Sequence, residues 1–158
     1  MKKLFAALLS IALFASISAT AFAAEINQDS NPKTATAEIT TSVAPKYTVS
    51  IPADVTVAFN DETTDFGSIE VTSAQIDPDK CIKVALTSDG ELNNTADSAK
   101  VIPYTVTAGG ATFTSATYDA TGDKTDLAIN IAQDDWNKAY AGEYSDTVTF
   151  TVSYENKA

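Results

Sequence analysis

The sequence predicts an all-β protein built as a single antiparallel β-sandwich. Short stretches in which apolar and polar residues alternate recur along the chain, and this period of two is typical of half-buried strands. Turn-forming residues separate these stretches at the spacing found in sandwiches. Threonine and valine, whose branched side chains favour strands, are abundant in the same stretches.

The first residues, 1–23, predict a secretory signal peptide. Lys2 and Lys3 give a positively charged start, an apolar run extends from Leu4 to Phe14, and Ala21-Phe22-Ala23 matches the small-residue pattern before a cleavage site. We expect cleavage after Ala23 and an exported protein, extracellular or at the cell surface. No membrane insertion is expected after cleavage, because the later chain contains no apolar run of about 18 residues.

The mature chain is predicted to begin with a flexible, polar leader at residues 24–34, followed by a β-sandwich domain at residues 35–158. The domain starts with an alternating segment that we interpret as an edge strand. Small inward residues would pack loosely there, and an exposed edge can pair with another chain, so this segment is the predicted subunit-exchange edge. Its inward residues are Ala35, Ala37, Ile39, Thr41 and Val43.

Further strands are predicted between turns that contain Asp, Asn, Gly or Pro. They lie at residues 47–51, 55–59, 67–72, 81–87, 101–107, 111–118 and 127–131. Pro103 cannot donate a ladder hydrogen bond, so its strand is expected at an edge or near a strand start. One helix-like stretch, of at most two turns, lies at 133–140.

The last predicted strand, residues 147–154, has the clearest alternation in the chain. Val148, Phe150, Val152 and Tyr154 share one face, while hydroxyl side chains occupy the other. We therefore expect Phe150 and Val152 in the core. Together, these elements predict an immunoglobulin-like antiparallel β-sandwich of about 8–9 strands with one short helical turn.

Charge and composition restrict the function. The chain has 10 Lys and Arg residues against 21 Asp and Glu residues, a net charge of −11, which disfavours nucleic acid and anionic membranes as partners. The absence of His excludes a Ser-His-Asp triad and imidazole metal sites. No nucleophile motif or phosphate-binding loop is present, so we expect no enzyme activity and no cofactor.

Two local features have residues of the types found in ligand sites. The acidic loop at residues 119–126 has three carboxylates, but it lacks the spacing of a calcium loop and contains Lys124, so we expect no metal there. Trp136, Tyr140 and Tyr144 could stack on sugar rings as ligand aromatics, or Trp136 could instead cover the open end of the core. The single cysteine, Cys81, is expected to be a free thiol on the less apolar face of its strand, the alternative being a disulfide between two copies.

The C-terminal segment AGEYSDTVTFTVSY, residues 141–154, resembles the last strands of bacterial pilin-type and spore-coat-U-like β-sandwich subunits. The disulfide common in that family cannot form here, because Cys81 is the single cysteine. The resemblance implies an exported structural or adhesive subunit, such as part of a fimbrium, with itself or related surface subunits as partners through strand exchange. The alternative is a monomeric secreted binding module for a glycan or a host protein.

Overall fold

The structure, a computed structural model, describes residues 25–157, and the predicted signal peptide at 1–23 lies outside this range. The described residues form eleven antiparallel strands and one short helix, which confirms the predicted all-β sandwich. More strands are present than the 8–9 expected, because several predicted strands are interrupted. No helix in the described part of the chain is long and apolar enough to cross a membrane.

The chain divides into two compact units between Ser42 and Val43, and within residues 25–157 every strand belongs to the second. The strands are β1 (Lys46–Ser50), β2 (Thr63–Gln75), β3 (Lys80–Thr87), β4 (Glu91–Asn94), β5 (Val101–Pro103), β6 (Thr105–Ala108), β7 (Ala111–Thr112), β8 (Ser115–Tyr118), β9 (Lys124–Asn130), β10 (Tyr144–Ser145) and β11 (Thr149–Asn156). The helix, α1, spans Gln133–Trp136.

A five-stranded sheet, in the order β1-β2-β9-β6-β7, forms one layer of the sandwich. Two three-stranded sheets, β10-β4-β5 and β11-β3-β8, form the other. Aromatic pairs join the layers: the ring centroids of Tyr47 and Tyr154 are 5.8 Å apart, and those of Phe66 and Phe150 are 6.1 Å apart. Pro103 lies in β5 at the end of its sheet, as predicted for a residue without an amide donor.

Side chains from the inner faces of both layers form one buried cluster. The residues with essentially no exposed surface are aliphatic and come from β2, β3, β5 and the position just after β9: Ile69, Val71, Ile82, Val84, Ile102 and Ile131. Trp136 closes one end of this cluster, where its indole N–H donates to the Asp61 carbonyl oxygen at 3.0 Å. The helix is therefore too short to be a layer of its own and acts as an aromatic plug.

A bulge in β2 directs one aromatic residue inward. Asp65 pairs with Ala128 and Gly67 pairs with Leu127, so Phe66 is the extra residue of the bulge. Gly67 has a φ of +90°, a conformation that residues with a side chain rarely adopt, and its N–H donates to the Asp65 carboxylate at 2.8 Å. The bulge thus holds Phe66 in the core at a point where β2 borders an open edge.

Four predictions about strands and burial were wrong. No strand forms at residues 35–43 or 55–59, because alternation specifies which face would be buried but does not supply a neighbouring strand. The strand β4 is absent from the predicted strands, because Asn93 and Asn94 are residues typical of turns. Val152 is 38% exposed rather than buried, since β11 is the outermost strand of its sheet and lacks cover on one side.

Cys81 also differs from expectation. Its side chain is buried, although it was expected on the less apolar face of β3. Because β3 is the central strand of its sheet, between β11 and β8, neighbouring strands cover it on both sides. The thiol is free, and its Sγ lies 4.0 Å from the Asn156 carbonyl oxygen.

Candidate strand-binding groove

An apolar groove of about 930 Å³ opens along one edge of the sandwich. It lies between the segment that follows β1 and the segment that connects β10 to β11. Two chain segments border it, residues 51–58 and residues 146–148, and neither takes part in strand pairing. Its floor consists of core side chains, among them Phe66, Ile102 and Ile129.

One wall of the groove is the segment from Tyr144 to Phe150. Tyr144, Asp146, Val148 and Phe150 are half-buried, whereas the residues between them are exposed. The period of two therefore continues through residues 146–148, although ladder pairing stops there. This wall has the side-chain arrangement of a strand, but its residues 146–148 pair with no neighbouring strand.

A polar cluster interrupts the apolar lining at the middle of this wall. The Tyr104 hydroxyl donates to Asp146 Oδ2, and Ser88 Oγ lies 2.7 Å from the Tyr104 hydroxyl and 3.2 Å from Asp146 Oδ2. Asp146 Oδ1 accepts the amide of Thr147 at 2.6 Å. Desolvation by burial, followed by the hydrogen bond to Asp146, raises the pKa of Tyr104 to about 12, so the folded chain favours the protonated hydroxyl.

The mouth of the groove carries exposed apolar side chains. Phe59 is 77% exposed, and Ile51, Val55 and Tyr140 also contribute large exposed surfaces. Phe59 packs its ring edge-on against Trp136, with centroids 5.6 Å apart, so the exposed rim is continuous with the buried core. Contiguous apolar surface of this kind is typical of an interaction site.

The segment predicted as the subunit-exchange edge has no strand structure. All its residues from 34 to 42 are exposed, and the Ile39 side chain is 97% exposed. Val43, at the start of the second unit, is 61% exposed. The alternating residues of this segment are therefore available to another molecule.

All three predicted ligand aromatics border the same groove. Trp136 is only 8% exposed, so its ring faces are not available to a sugar, and it covers the end of the core instead. The Tyr144 hydroxyl is held by the backbone of Tyr140, accepting from its amide at 3.1 Å and donating to its carbonyl at 3.0 Å. Tyr140 is 62% exposed, and Lys100 Nζ lies 4.7 Å from its ring centroid.

The acidic loop at residues 119–126 is arranged as a turn. Asp123 Oδ2 accepts the amides of Asp119 and Ala120 at 2.7 and 2.9 Å, and these two bonds lower the pKa of Asp123. Lys124 Nζ pairs with Asp126 Oδ1 at 2.8 Å. In residues 25–157, no three side chains of the metal-binding types converge on a common point.

Sequence reasoning missed the polar cluster and the segment at 51–58. Asp146 lies on the inward face of residues 144–150, and a carboxylate at an otherwise apolar inward position was the available signal. Nothing in the sequence pairs it with Ser88 or Tyr104, which are 58 and 42 residues away. Comparison with protein-family models and with curated proteins finds no match to this chain.

Proposed function

We propose that this protein is an exported cell-surface structural subunit, pilin-like or coat-like, whose copies associate by strand exchange. In this association, residues 35–43 of one copy add as a strand in the groove of another. The observation that carries the proposal is the open apolar groove bordered by two segments, 51–58 and 146–148, that have no strand partners. The predicted signal peptide supports export, and the absence of catalytic motifs supports a non-enzymatic role.

The groove has the properties that strand addition requires. Backbone groups along an unpaired edge act as a template for another chain, which supplies the affinity. Side-chain positions in the groove then select alternate residues of the added strand. The apolar floor at Phe66 and Ile129 would be covered by the added side chains, which favours association through the hydrophobic effect.

The proposed donor segment fits these requirements. Its inward residues are small at Ala35 and Ala37, larger at Ile39 and Val43, and mostly apolar, so they match the apolar lining of the groove. Insertion of Ile39 alone would remove an almost fully exposed side chain from water, a gain of about 1.5–3 kcal/mol. The copy that receives the segment gains cover for its exposed rim at the same time.

Size-exclusion chromatography with light scattering and negative-stain imaging of residues 24–158 test the proposal. We expect concentration-dependent oligomers or fibres from the unaltered chain. Ile39→Asp should abolish them, because it would place an unpaired carboxylate in the groove. Thr40→Asp adds the same charge on the opposite face and is the matched control, expected to associate nearly normally. Monomers at all concentrations, or equal effects of both variants, would contradict strand exchange.

A truncated chain provides a second test. Residues 43–158 contain every strand found among the described residues, and we expect this fragment to be monomeric with its groove open. A peptide of residues 34–43 should raise its melting temperature, whereas the same peptide with Ile39→Asp should not. A fragment that ignores the peptide would identify residues 35–43 as a linker.

A glycan- or host-protein-binding module is the second candidate function. The exposed ring of Tyr140 at the groove mouth, next to Lys100, is the observation that favours it. Binding to a glycan array that Tyr140→Ala removes, by a chain that stays monomeric, would support this function over strand exchange. If Tyr140→Ala instead dissociates the oligomers, and the unaltered chain binds no glycan on the array, strand exchange is supported.

A further inference from the structure

The groove wall and the donor segment each contain one polar residue in an otherwise apolar inward series. On the wall, the half-buried residues are Tyr144, Asp146, Val148 and Phe150, and Asp146 is the charged one. On the donor, the inward residues are Ala35, Ala37, Ile39, Thr41 and Val43, and Thr41 is the polar one. A single polar position in each series can match in one register only.

Asp146 has the capacity to accept a further hydrogen bond. Its Oδ2 is used twice, by Tyr104 and Ser88, whereas its Oδ1 accepts one bond, from the amide of Thr147. An ionised carboxylate offers about four acceptor sites, so one site on Oδ1 remains. An apolar side chain placed over this oxygen would bury it without a partner, which is costly.

We propose that Thr41 of one copy docks against Asp146 of the next, its hydroxyl donating to Asp146 Oδ1, and that this pair fixes the register of the added strand. The inference rests on the proposed strand exchange and specifies how the groove selects its partner. Asp146 is already held in place by Tyr104 and Ser88, so it presents a fixed acceptor to the incoming strand.

The flanking residues agree with this register. Residues on one face of a strand are separated by about 7 Å, so Ile39 and Val43 lie about 7 Å on either side of Thr41. Tyr144 and Val148 flank Asp146 two residues away on either side and are half-buried like it. Ile39 and Val43 therefore meet apolar neighbours whichever way the added strand runs.

Other registers are unfavourable, because they place a second carboxylate in the groove or an apolar side chain over Asp146. A slip of one residue turns the inward face outward and brings Glu38, Thr40 and Ser42 into the groove. Glu38 would then enter the apolar groove that already contains the carboxylate of Asp146. A slip of two residues places Ile39 or Val43 over Asp146 and leaves Thr41 in an apolar part of the groove.

Intermolecular disulfide formation tests the register in the mature chain, residues 24–158, with Cys81→Ala in every variant. One copy carries Thr40→Cys or Ser42→Cys on the outward face of the donor. The other carries one cysteine in place of an exposed wall residue: Glu143, Ser145, Thr147 or Thr149. Disulfides form when Cα atoms are about 5.5–6 Å apart, which neighbouring strands satisfy only for residues nearly opposite each other.

In the proposed register, positions 40 and 42 each link to one of Ser145 and Thr147, and neither links to Glu143 or Thr149. Links to Glu143 or Thr149 would overturn the register while leaving strand exchange intact. Mixtures that form no disulfide at any of these positions would overturn strand exchange itself.

Substitution of Thr41 tests the hydrogen bond. Thr41→Val keeps the shape of the side chain but removes the donor, and we expect association to weaken about tenfold, because bonds to charged groups are among the stronger ones. Thr41→Ser should retain most of the affinity, and Thr40→Val, on the outward face, should change it little. Unchanged association of Thr41→Val by light scattering would overturn the role of Thr41.

Discussion

Replacing Tyr104 with Phe should reveal how the polar cluster contributes to stability. The substitution keeps the ring in the groove floor but removes the hydroxyl that donates to Asp146 and lies 2.7 Å from Ser88 Oγ. The carboxylate of Asp146 then loses a partner in a partly desolvated site. At neutral pH we expect a loss of about 1–3 kcal/mol in the free energy of unfolding.

The pH dependence of this loss makes the prediction specific. The folded chain raises the pKa of Tyr104 from 10.0 to about 12, so folding favours the protonated hydroxyl. The corresponding stability is fully present below pH 10 and is lost as the pH rises towards 12. Two pKa units correspond to about 2.7 kcal/mol, and because the groove admits water we expect roughly half of this.

Urea unfolding of both proteins between pH 8 and pH 12 measures this difference. Other tyrosines and the lysines also titrate in this range, but they do so in both proteins and cancel in the comparison. The stability advantage of the unaltered chain over Tyr104→Phe should shrink by about 1–2 kcal/mol as the pH rises. A constant difference across the range would refute the idea that folding stabilises the protonated hydroxyl.

Three further predictions concern the core and export. Phe150→Ala should lower the free energy of unfolding, measured in urea, by about 2–3 kcal/mol, which is less than for a fully buried aromatic because Phe150 borders the groove. Thr149→Ala, on the exposed face, should lower it by less than about 0.5 kcal/mol. Equal losses would mean that the faces of β11 are misassigned. Trp136→Phe should cost about 1–2 kcal/mol, because it removes the hydrogen bond to the Asp61 carbonyl and part of the plug, and an unchanged melting temperature would argue against this role. The intact mass of the secreted protein should correspond to a chain that begins at Ala24, whereas a full-length chain in the membrane fraction would exclude cleavage.

The fold class was predictable because alternation and turn chemistry are local. The strands β1, β3 and β9 lie close to their predicted positions for this reason. Strand pairing is not local, so the same alternation at residues 35–43 and 55–59 predicted strands that do not form. Those two errors arise from the same physical fact, since a strand needs a neighbour that a single sequence pattern cannot identify.

The groove was predictable only in part. The aromatics selected from the sequence, Trp136, Tyr140 and Tyr144, all border it, whereas the exposed Phe59 at its mouth was not selected. The polar cluster of the groove could not be predicted, because Ser88, Tyr104 and Asp146 come from distant parts of the chain and meet only after the layers pack. The segment at 51–58 has the alternation of a strand continuation, but the pairing of β1 with β2 stops at Ser50.

The strands at the far ends of the three sheets limit how such a protein could grow. β7 has two residues, β8 has four, and β5 has three, including Pro103, which has no amide hydrogen to donate. Short edges and prolines are devices that prevent unwanted pairing between chains. If each copy offers one receptive side and one donor segment, the contact is head-to-tail, and its repetition gives an unbranched polymer with distinct ends rather than a two-dimensional aggregate.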